Sequence, residues 1–220
     1  MTTIPTEGFL GQLHADDAQA LMDKGRRRRC PAGSLLFMEG DEAQTVLFLL
    51  EGQVKISITS SAGREVVLDV LGSGEIIGEL SAIDGLPRSA TATSLCPVEI
   101  TTVRTADFQA LVNERPSIAR ELLLLISIRL RSTSRRQFEL ASSDALARVC
   151  GRLAHLAGDG RVELRVPMSQ SDLAAWAGLS REAVVKALRT LRALGWIESR
   201  GRDIVLLDVD AIHHRADPPG

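Results

Sequence analysis

One short segment in the first half of the chain, residues 78–90, combines side chains that could bind an anion and a sugar. It reads GELSAIDGLPRSA, which predicts a strand end, a one-turn helix beginning near Glu79, and a loop returning through Arg88. Backbone N–H groups at a helix start favour an anion, and an arginine can hold a phosphate by two hydrogen bonds. Glu79 would be repelled by that anion and needs a donor, which a ribose hydroxyl supplies. The alternative is a surface salt bridge between Glu79 and Arg88.

A second segment, GLSREAVVKALRTLRAL at 178–194, predicts a turn followed by an amphipathic helix. Gly178 suits a sharp turn, and Ser180 is a good N-cap. The helix has two sides: an apolar stripe of Val184, Leu188 and Leu191, and the basic residues Arg181, Lys186 and Arg189 largely off that stripe. Upstream, 169–176 predicts a shorter helix capped by Ser169. Two helices joined by such a turn form a helix-turn-helix, which places its second helix in the DNA major groove. The alternative is an ordinary helical hairpin with a solvated basic face.

The distribution of charge supports a nucleic-acid site at this end of the chain. The 220 residues carry a net charge of −2, yet 165–202 holds seven basic and three acidic residues. A basic segment on an acidic body is typical of a local polyanion contact.

Other chemistry is not indicated by the sequence. The three cysteines are far apart and the four histidines lack metal-ligand spacing, so we expect buried free thiols, no disulfide framework and no metal site. We find no nucleophile–base pair and do not expect an enzyme. The 45% hydrophobic and 25% charged composition is that of a globular protein, without an apolar run of membrane-spanning length or a signal peptide. These features predict a cytoplasmic protein.

The first half of the chain is predicted to begin with helical structure and to continue mainly as β-structure. Residues 1–25 show helical spacing, and Arg26–Arg29 is predicted to be a solvated segment entering the first strand. From Cys30 to Val103, short apolar runs alternate with glycines, which is typical of a small antiparallel sandwich or barrel. Residues 61–63 form a plausible hairpin loop in that region.

Helices follow the β-region, and one of them is long. Residues 107–112 predict a short helix, and a long helix capped near Asn113, with Pro116 in its first turn, could run to about Leu140. A spacing of four and three residues marks a coiled-coil seam of Ala119, Leu123, Ile126, Leu130, Thr133, Gln137 and Leu140. We therefore predict a parallel homodimer, the alternative being packing of this helix on its own barrel. Leu122, Leu124 and Leu125 are predicted to face the barrel.

The last third of the chain is predicted to be a separate DNA-binding domain. Residues 141–144 break the long helix and cap the next one, which runs to about Ala157; a turn at 158–160 and a strand at 162–166 follow. After the helix-turn-helix, 196–199 and 204–207 predict a β-hairpin wing. Its tip carries Arg200 and Arg202, which could contact a DNA backbone. Trp176 and Trp196 are predicted to be core residues.

Three motifs resemble the bacterial cyclic-AMP receptor protein and fumarate-nitrate regulator family of transcription regulators. They are GELSAIDGLPRSATA at 78–92, RLRSTS at 129–134 and GLSREAVVKAL at 178–188, in the family's order and at similar spacing. The first resembles the family's phosphate-binding cassette, and we call 78–92 the cassette below.

The resemblance implies a role for particular residues. Gly78, Glu79 and Leu80 would hold the phosphate and ribose, Arg88 and Ser89 the cyclic phosphate, and Thr133 and Ser134 the adenine edge, one of them from the partner subunit. Arg181, Glu182 and Lys186 match base-reading positions, and Ser169 and Ser180 match phosphate contacts. Glutamate suits a cytosine amino group and arginine a guanine edge. Lys186 departs from the arginine of the best-known members.

We therefore predict an α+β protein with a jelly-roll-like antiparallel β-barrel that binds cyclic nucleotide at 1–112. A dimerisation helix at 113–141 and a winged helix-turn-helix at 142–220 complete it. The predicted function is a homodimeric transcription regulator that binds cyclic AMP and a palindromic operator. RNA polymerase is a further candidate partner, although the turn at 158–160 is shorter than the loop some members offer to it. Two alternatives stay open: a regulator of the same fold with another ligand or none, and a cyclic-nucleotide-binding module of an enzyme or channel.

Overall fold

The computed structural model describes residues 4–157, 165–200 and 203–216. It divides into two compact units, one formed by 1–59 with 68–132 and the other by 60–67 with 133–220. The predicted fold class is confirmed: a β-sheet unit, a long helix and a helix-turn-helix unit follow one another along the chain. The domain limits 1–112, 113–141 and 142–220 stay a prediction.

In the first unit, the described residues include eight strands, which form two antiparallel sheets of four strands each. The strands are β1 Arg26–Cys30, β2 Leu35–Phe37, β3 Thr45–Glu51, β4 Val54–Thr59, β5 Glu65–Leu71, β6 Ile76–Ile77, β7 Thr91–Ser94 and β8 Val98–Arg104. One sheet has the order β1-β8-β3-β6 and the other β2-β7-β4-β5. The arginine run predicted to precede the first strand is itself β1, an edge strand whose four arginines are all exposed. Charged side chains on an edge strand oppose pairing with other chains.

The first unit contains two apolar clusters. Strand β3 contributes to both, because its side chains point alternately to the two faces of its sheet. Phe48 lies on one face, between Phe9 and Phe108, with 6.3 Å between ring centroids on each side. Leu47 and Leu49 lie in the other cluster, with Ile100. This alternation is that of a strand buried on both faces.

Between residues 4 and 142 the structure also describes helices α1 Gly8–Gln12, α2 Ala15–Asp23, α3 Glu79–Asp84, α4 Thr105–Glu114 and α5 Pro116–Ser142. The region 1–25 is therefore broken into two helices. The predicted cap of the long helix near Asn113 is wrong, because Asn113 lies inside α4 and only Arg115 separates α4 from α5. At this junction Asp17 of α2 accepts hydrogen bonds from Ser117 Oγ and, at 2.8 Å, from Arg115 Nη1.

The buried side of α5 differs from the predicted one. Leu122 is 4% exposed and Leu125 packs against the core, as predicted, but Leu124 is 45% exposed and does not face the sheets. Ile126, a member of the predicted seam, also packs against that core. The apolar side chains of α5 that are more than half exposed are those of Leu123, Ile128, Leu130, Phe138 and Leu140.

The second unit is mainly helical. Its elements are α6 Ala145–Ala157, β9 Arg165–Val166, α7 Gln170–Ala177, α8 Arg181–Ala193, β10 Ile197–Arg200, β11 Asp203–Leu206 and α9 Val209–Ala216. The three strands form one sheet of order β10-β11-β9, so the predicted wing hairpin is confirmed. Asp144 caps α6 by accepting from the Ala147 N–H at 2.8 Å, as the break at 141–144 predicted. The predicted turn at 158–160 lies outside the described residues.

The cysteine and tryptophan side chains differ in how deeply they are buried. Cys30 and Cys150 are buried free thiols, whereas Cys96 is half-buried. Burial raises the pKa of the Cys150 thiol to about 11, which makes it a poor nucleophile. Trp176 is a core residue with 5% exposure, and Trp196 is only half-buried. None of the helices in the described parts of the chain has the length and apolar character needed to cross a bilayer.

Candidate ligand-binding and nucleic-acid-binding sites

The cassette begins where β6 ends, at a position whose backbone conformation only glycine adopts easily. Gly78 has a φ of 83°, in the left-handed region, and it directly precedes α3. A Cβ atom on Gly78 would overlap the Nη1 atom of Arg88. The absence of a side chain at Gly78 is therefore what allows the arginine to approach the start of α3.

Arg88 is a buried residue of the cassette, with 4% of its surface exposed. Its Nη1 donates to the Gly78 carbonyl at 2.9 Å, its Nη2 donates to the Thr45 carbonyl, and its Cζ lies 4.2 Å from the ring centroid of Phe37. Nε is buried and has no hydrogen-bond partner among the described residues. A buried donor of this kind is costly unless something accepts from it, and an anionic oxygen would do so.

Burial disfavours the charged form of the Arg88 side chain. Desolvation lowers the pKa of the guanidinium, and the nearby charges of Asp41 and Glu79 act in the other direction. The backbone fixes the residue as well: Arg88 N donates to the Asp41 carbonyl at 2.9 Å, and Gly40 N donates to the Arg88 carbonyl at 2.8 Å. The guanidinium is thus held in place by main-chain contacts, which is the arrangement a pre-formed anion site requires.

Glu79 is also buried, at 3% exposure, and its ion-pair partner is Arg129 of α5. Arg129 Nη1 donates to Glu79 Oε1 at 2.5 Å, while Nη2 contacts Glu75 Oε2 at 3.1 Å and the Ile76 carbonyl at 3.0 Å. The alternative of a surface salt bridge between Glu79 and Arg88 is therefore wrong. Arg129 was not predicted as a site residue, although it is the first residue of the RLRSTS motif.

Glu75 completes this charged group. Burial raises the pKa of its carboxyl group, even though Arg129 lowers it. One arginine thus serves two largely buried carboxylates, and the group carries an excess of negative charge. Such a group can accept hydrogen bonds from a neutral donor such as a hydroxyl more readily than it can accept an anion.

The other predicted ligand residues are placed as follows. Leu80 on α3 is 43% exposed and Ser89 is exposed in the loop. Both belong to the same unit as Gly78, Glu79 and Arg88. Thr133 and Ser134 are exposed on α5 and belong to the second unit.

The predicted helix-turn-helix caps are present in the second unit. Ser169 Oγ accepts from Asp172 N at 3.0 Å at the start of α7, and Ser180 Oγ accepts from Ala183 N at 3.2 Å at the start of α8. Between them Gly178 has a φ of 63°, as a tight turn requires. The two serine side chains therefore already act in the fold as helix caps.

The outward side of α8 carries the predicted base-reading residues. Val184, Leu188 and Leu191 are buried, and Arg181, Glu182 and Lys186 are exposed. The pKa of Glu182 is lowered because its carboxylate accepts from its own backbone N–H and from the Ser180 hydroxyl. Glu182 is therefore an acceptor at neutral pH, as contact with a base amino group requires.

The described residues include one of the two wing arginines that were predicted to contact a DNA backbone. Arg200 at the end of β10 is exposed, and its Nη2 lies 3.2 Å from Glu198 Oε2. Arg202 lies outside the described residues. Near the same hairpin, Arg192 Nη1 of α8 donates to Ser199 Oγ at 2.9 Å and ties the helix to the wing.

Comparison with known proteins supports both sites. Residues 27–115 match the model of the cyclic nucleotide-binding domain, and residues 147–215 match the Crp-like helix-turn-helix domain. The chain is 30% identical to the CRP-like cAMP-activated global transcriptional regulator of Mycobacterium tuberculosis over 192 residues, covering 84% of this chain and 86% of that one. It is 34% identical to the cyclic AMP receptor protein of Thermus thermophilus over 183 residues, covering 83% of this chain and 84% of that one.

A solved structure gives the same result for the fold. The c-di-GMP-responsive global regulator CLP of Xanthomonas campestris superimposes with a TM-score of 0.74 at 27% identity, covering 88% of this chain and 99% of that one.

Proposed function

This chain belongs to the cyclic-AMP receptor protein family of transcription regulators, and we propose that it is a cytoplasmic homodimer that binds cyclic AMP and thereby gains affinity for a palindromic operator. The family consists of DNA-binding regulators rather than enzymes. The observation that carries the ligand proposal is the buried guanidinium of Arg88, whose Nε has no partner among the described residues, next to the buried carboxylate of Glu79.

The cassette offers complementary groups to a cyclic nucleotide. Arg88 Nε, with the Ser89 hydroxyl, would donate to the cyclic phosphate. Glu79 would accept from the ribose 2′-hydroxyl, which a 3′,5′-cyclic nucleotide retains. Arg129 Nη1 holds the Glu79 carboxylate in place beside the proposed ribose site. Thr133 and Ser134 remain our proposed contacts to the adenine edge.

Cyclic AMP is the ligand favoured by the relatives at 30% and 34% identity, both of which are named for it. Cyclic di-GMP is the second candidate, favoured by the likeness to the regulator CLP. RNA polymerase stays a candidate partner, and the turn at 158–160 that bears on it lies outside the described residues.

Dimerisation is proposed from the exposed apolar side of α5. Leu123 and Leu130 are 68% and 67% exposed, and the intervening Ile128 is 61% exposed. Burying such leucines against a second copy would contribute about 1.5 to 3 kcal/mol for each side chain. Sedimentation should show a native dimer and a Leu130→Glu monomer, whereas Leu194→Glu, at an apolar position 51% exposed on the other unit, should remain dimeric. A dimeric Leu130→Glu variant would contradict this assignment of the interface.

DNA recognition is proposed for the exposed side of α8. Arg181, Glu182 and Lys186 would contact base edges, and Ser169, Ser180, Arg200 and Arg202 the phosphate backbone. A dimer presents two such helices, and ligand would favour the state in which they are about 34 Å apart, one turn of DNA. Lys186 has a single ammonium group and would read guanine less selectively than the bidentate arginine would.

Calorimetry with cyclic AMP, cyclic GMP and cyclic di-GMP tests the ligand proposal. We expect cyclic AMP to bind most tightly and Arg88→Ala to lose at least about 100-fold in affinity, since it removes a charge-assisted contact worth about 1.5–3 kcal/mol together with its packing. Arg26→Ala removes an exposed arginine of β1 and should bind normally. Equal affinities of native protein and Arg88→Ala would contradict the proposed site.

A further inference from the structure

A buried arginine in the second unit joins the last turns of α5 to the first helix of the helix-turn-helix. Arg152 of α6 is 6% exposed, and its Nη2 donates to Glu139 Oε2 of α5. The Cζ atom of the same guanidinium lies 5.7 Å from the ring centroid of Trp176 on α7. One side chain on α6 therefore contacts two other helices, α5 and α7.

Two side chains of α6 contact the ring of Trp176. Its Nε1 is buried without a hydrogen-bond partner among the described residues, and the indole is only 5% exposed. Besides Arg152, the ring of His155 meets it edge to face, with 5.4 Å between centroids and an interplanar angle of 84°. A guanidinium over an indole face is a favourable cation–π arrangement, and it is stronger when the pair is away from water.

The turn of the helix-turn-helix touches the same end of α5. Leu140 Cδ2 lies 2.9 Å from the position that a Cβ on Gly178 would take. Arg148 Nη1 of α6 is 3.3 Å from the Gly178 carbonyl and 3.4 Å from the Ala177 carbonyl. The turn that immediately precedes α8 is therefore packed on α5 and α6 beside the arginine contact.

We propose that Arg152 is a positioning residue for the recognition helix α8, and that its pairing with Glu139 fixes the helix-turn-helix on the end of α5. The proposal rests on the function proposed above, because its consequence is a change in ligand-dependent DNA binding. Glu139 neutralises the guanidinium, and the planar group then covers Trp176. Lysine cannot replace it, since an ammonium lacks the planar fork that pairs with a carboxylate and stacks on a ring in one geometry.

The test uses the full-length chain carrying Trp196→Phe, which leaves Trp176 as the only tryptophan. Glu139→Gln removes the counter-charge and keeps the shape of the side chain, while Arg152→Lys keeps the charge and loses the fork. Arg135→Ala is the matched control, because Arg135 Nε approaches the same carboxylate at 3.7 Å but 60% of the side chain is exposed. Exposed ion pairs contribute little to stability.

Two quantities are measured for each variant. The first is acrylamide quenching of Trp176. The second is the ratio of affinities for one palindromic duplex with and without saturating cyclic AMP, with nucleotide affinity as the check that the first unit is folded. Glu139→Gln and Arg152→Lys should both increase quenching and reduce the affinity ratio by about tenfold, with nucleotide affinity unchanged within about twofold. Arg135→Ala should leave both quantities at the native value.

The outcomes separate the two proposals. Native-like quenching and an unchanged affinity ratio in Glu139→Gln would overturn the positioning role, and so would an equal effect of Arg135→Ala. If the native chain binds no duplex in either state, the proposed function fails, and quenching alone then decides whether Arg152 positions Trp176.

Discussion

Arg129 of α5 and Glu79 of α3 are fifty residues apart in the sequence and form an ion pair of 2.5 Å. Only 4% of the glutamate side chain and 26% of the arginine side chain are exposed. The same guanidinium contacts Glu75, so one cation on α5 compensates Glu79 of the cassette and Glu75 just before it. A ligand hydroxyl that hydrogen-bonds to Glu79 would therefore compete with α5 for the same oxygen atoms.

Replacing that cation should destabilise the first unit and weaken ligand binding. Arg129→Gln leaves the two carboxylates largely buried without their counter-charge, and we expect a loss of about 2–3 kcal/mol in the free energy of unfolding at pH 7, below the range for a fully buried pair because the arginine is partly exposed. The loss should shrink towards pH 5, because burial raises the pKa of the Glu75 carboxyl group and its protonation removes part of the uncompensated charge. Denaturant titrations at the two pH values measure it, and a pH-independent loss would contradict the electrostatic explanation.

Alanine substitutions at two glycines of the cassette distinguish the effect of backbone strain on ligand affinity from the effect of overlap with Arg88. Gly78 and Gly85 have φ values of 83° and 72°, so alanine at either position costs about 1–2 kcal/mol in backbone strain. A Cβ at Gly85 meets nothing within 4 Å, whereas one at Gly78 overlaps Arg88 Nη1. Gly78→Ala should therefore lose at least about tenfold in cyclic AMP affinity by calorimetry, whereas Gly85→Ala should bind normally. Similar losses in both variants would show that strain alone is responsible.

Acid stability should depend on Asp17. Hydrogen bonds from Ser117 and Arg115 lower the pKa of this carboxyl group in the folded chain. The ionised form is thus favoured by folding, so its contribution is complete above the unfolded-state pKa of about 3.9 and is lost as the pH falls through the lower folded value. Asp17→Asn should lower the melting temperature at pH 7, and the difference from native protein should vanish towards pH 3. Asp16→Asn, at the exposed neighbouring position, should show no such convergence.

Mutating a residue that contacts base edges and mutating one that contacts the DNA backbone should have different effects on DNA binding. Glu182→Ala should relax the base preference at one position by about 1–3 kcal/mol and change the salt dependence little. Arg200→Ala should weaken binding to all duplexes alike and reduce the slope of log affinity against log salt by about one. Binding to a set of single-base operator variants at several salt concentrations distinguishes the two. A general loss of affinity in Glu182→Ala would place it among the backbone contacts.

Local signals in the sequence were sufficient for the helix-turn-helix. Ser169 and Ser180 cap their helices, and Gly178 makes the turn, because caps and left-handed turns depend on a few adjacent residues. The apolar stripe of α8 was predicted for the same reason: one side of a short helix must be buried and its spacing is visible.

Local signals were not sufficient to predict which side chains of the long helix are buried. Leucines at 122–125 occupy all sides of α5, so spacing alone did not reveal that Leu122 and Leu125 pack on the sheets while Leu124 does not. The role of Arg129 was missed because its partners, Glu75 and Glu79, are about fifty residues away, and only the fold brings them together. The inward position of Arg88 was likewise invisible, since its acceptors are main-chain carbonyls rather than side chains.

The most direct test is the affinity of the purified chain for a palindromic duplex, measured with and without saturating cyclic AMP at one salt concentration. We predict that one nucleotide binds per chain and that it raises DNA affinity by at least about tenfold, with Arg88→Ala showing no such increase. Equal DNA affinity in the two states, with nucleotide bound, would contradict ligand control of DNA binding by this protein.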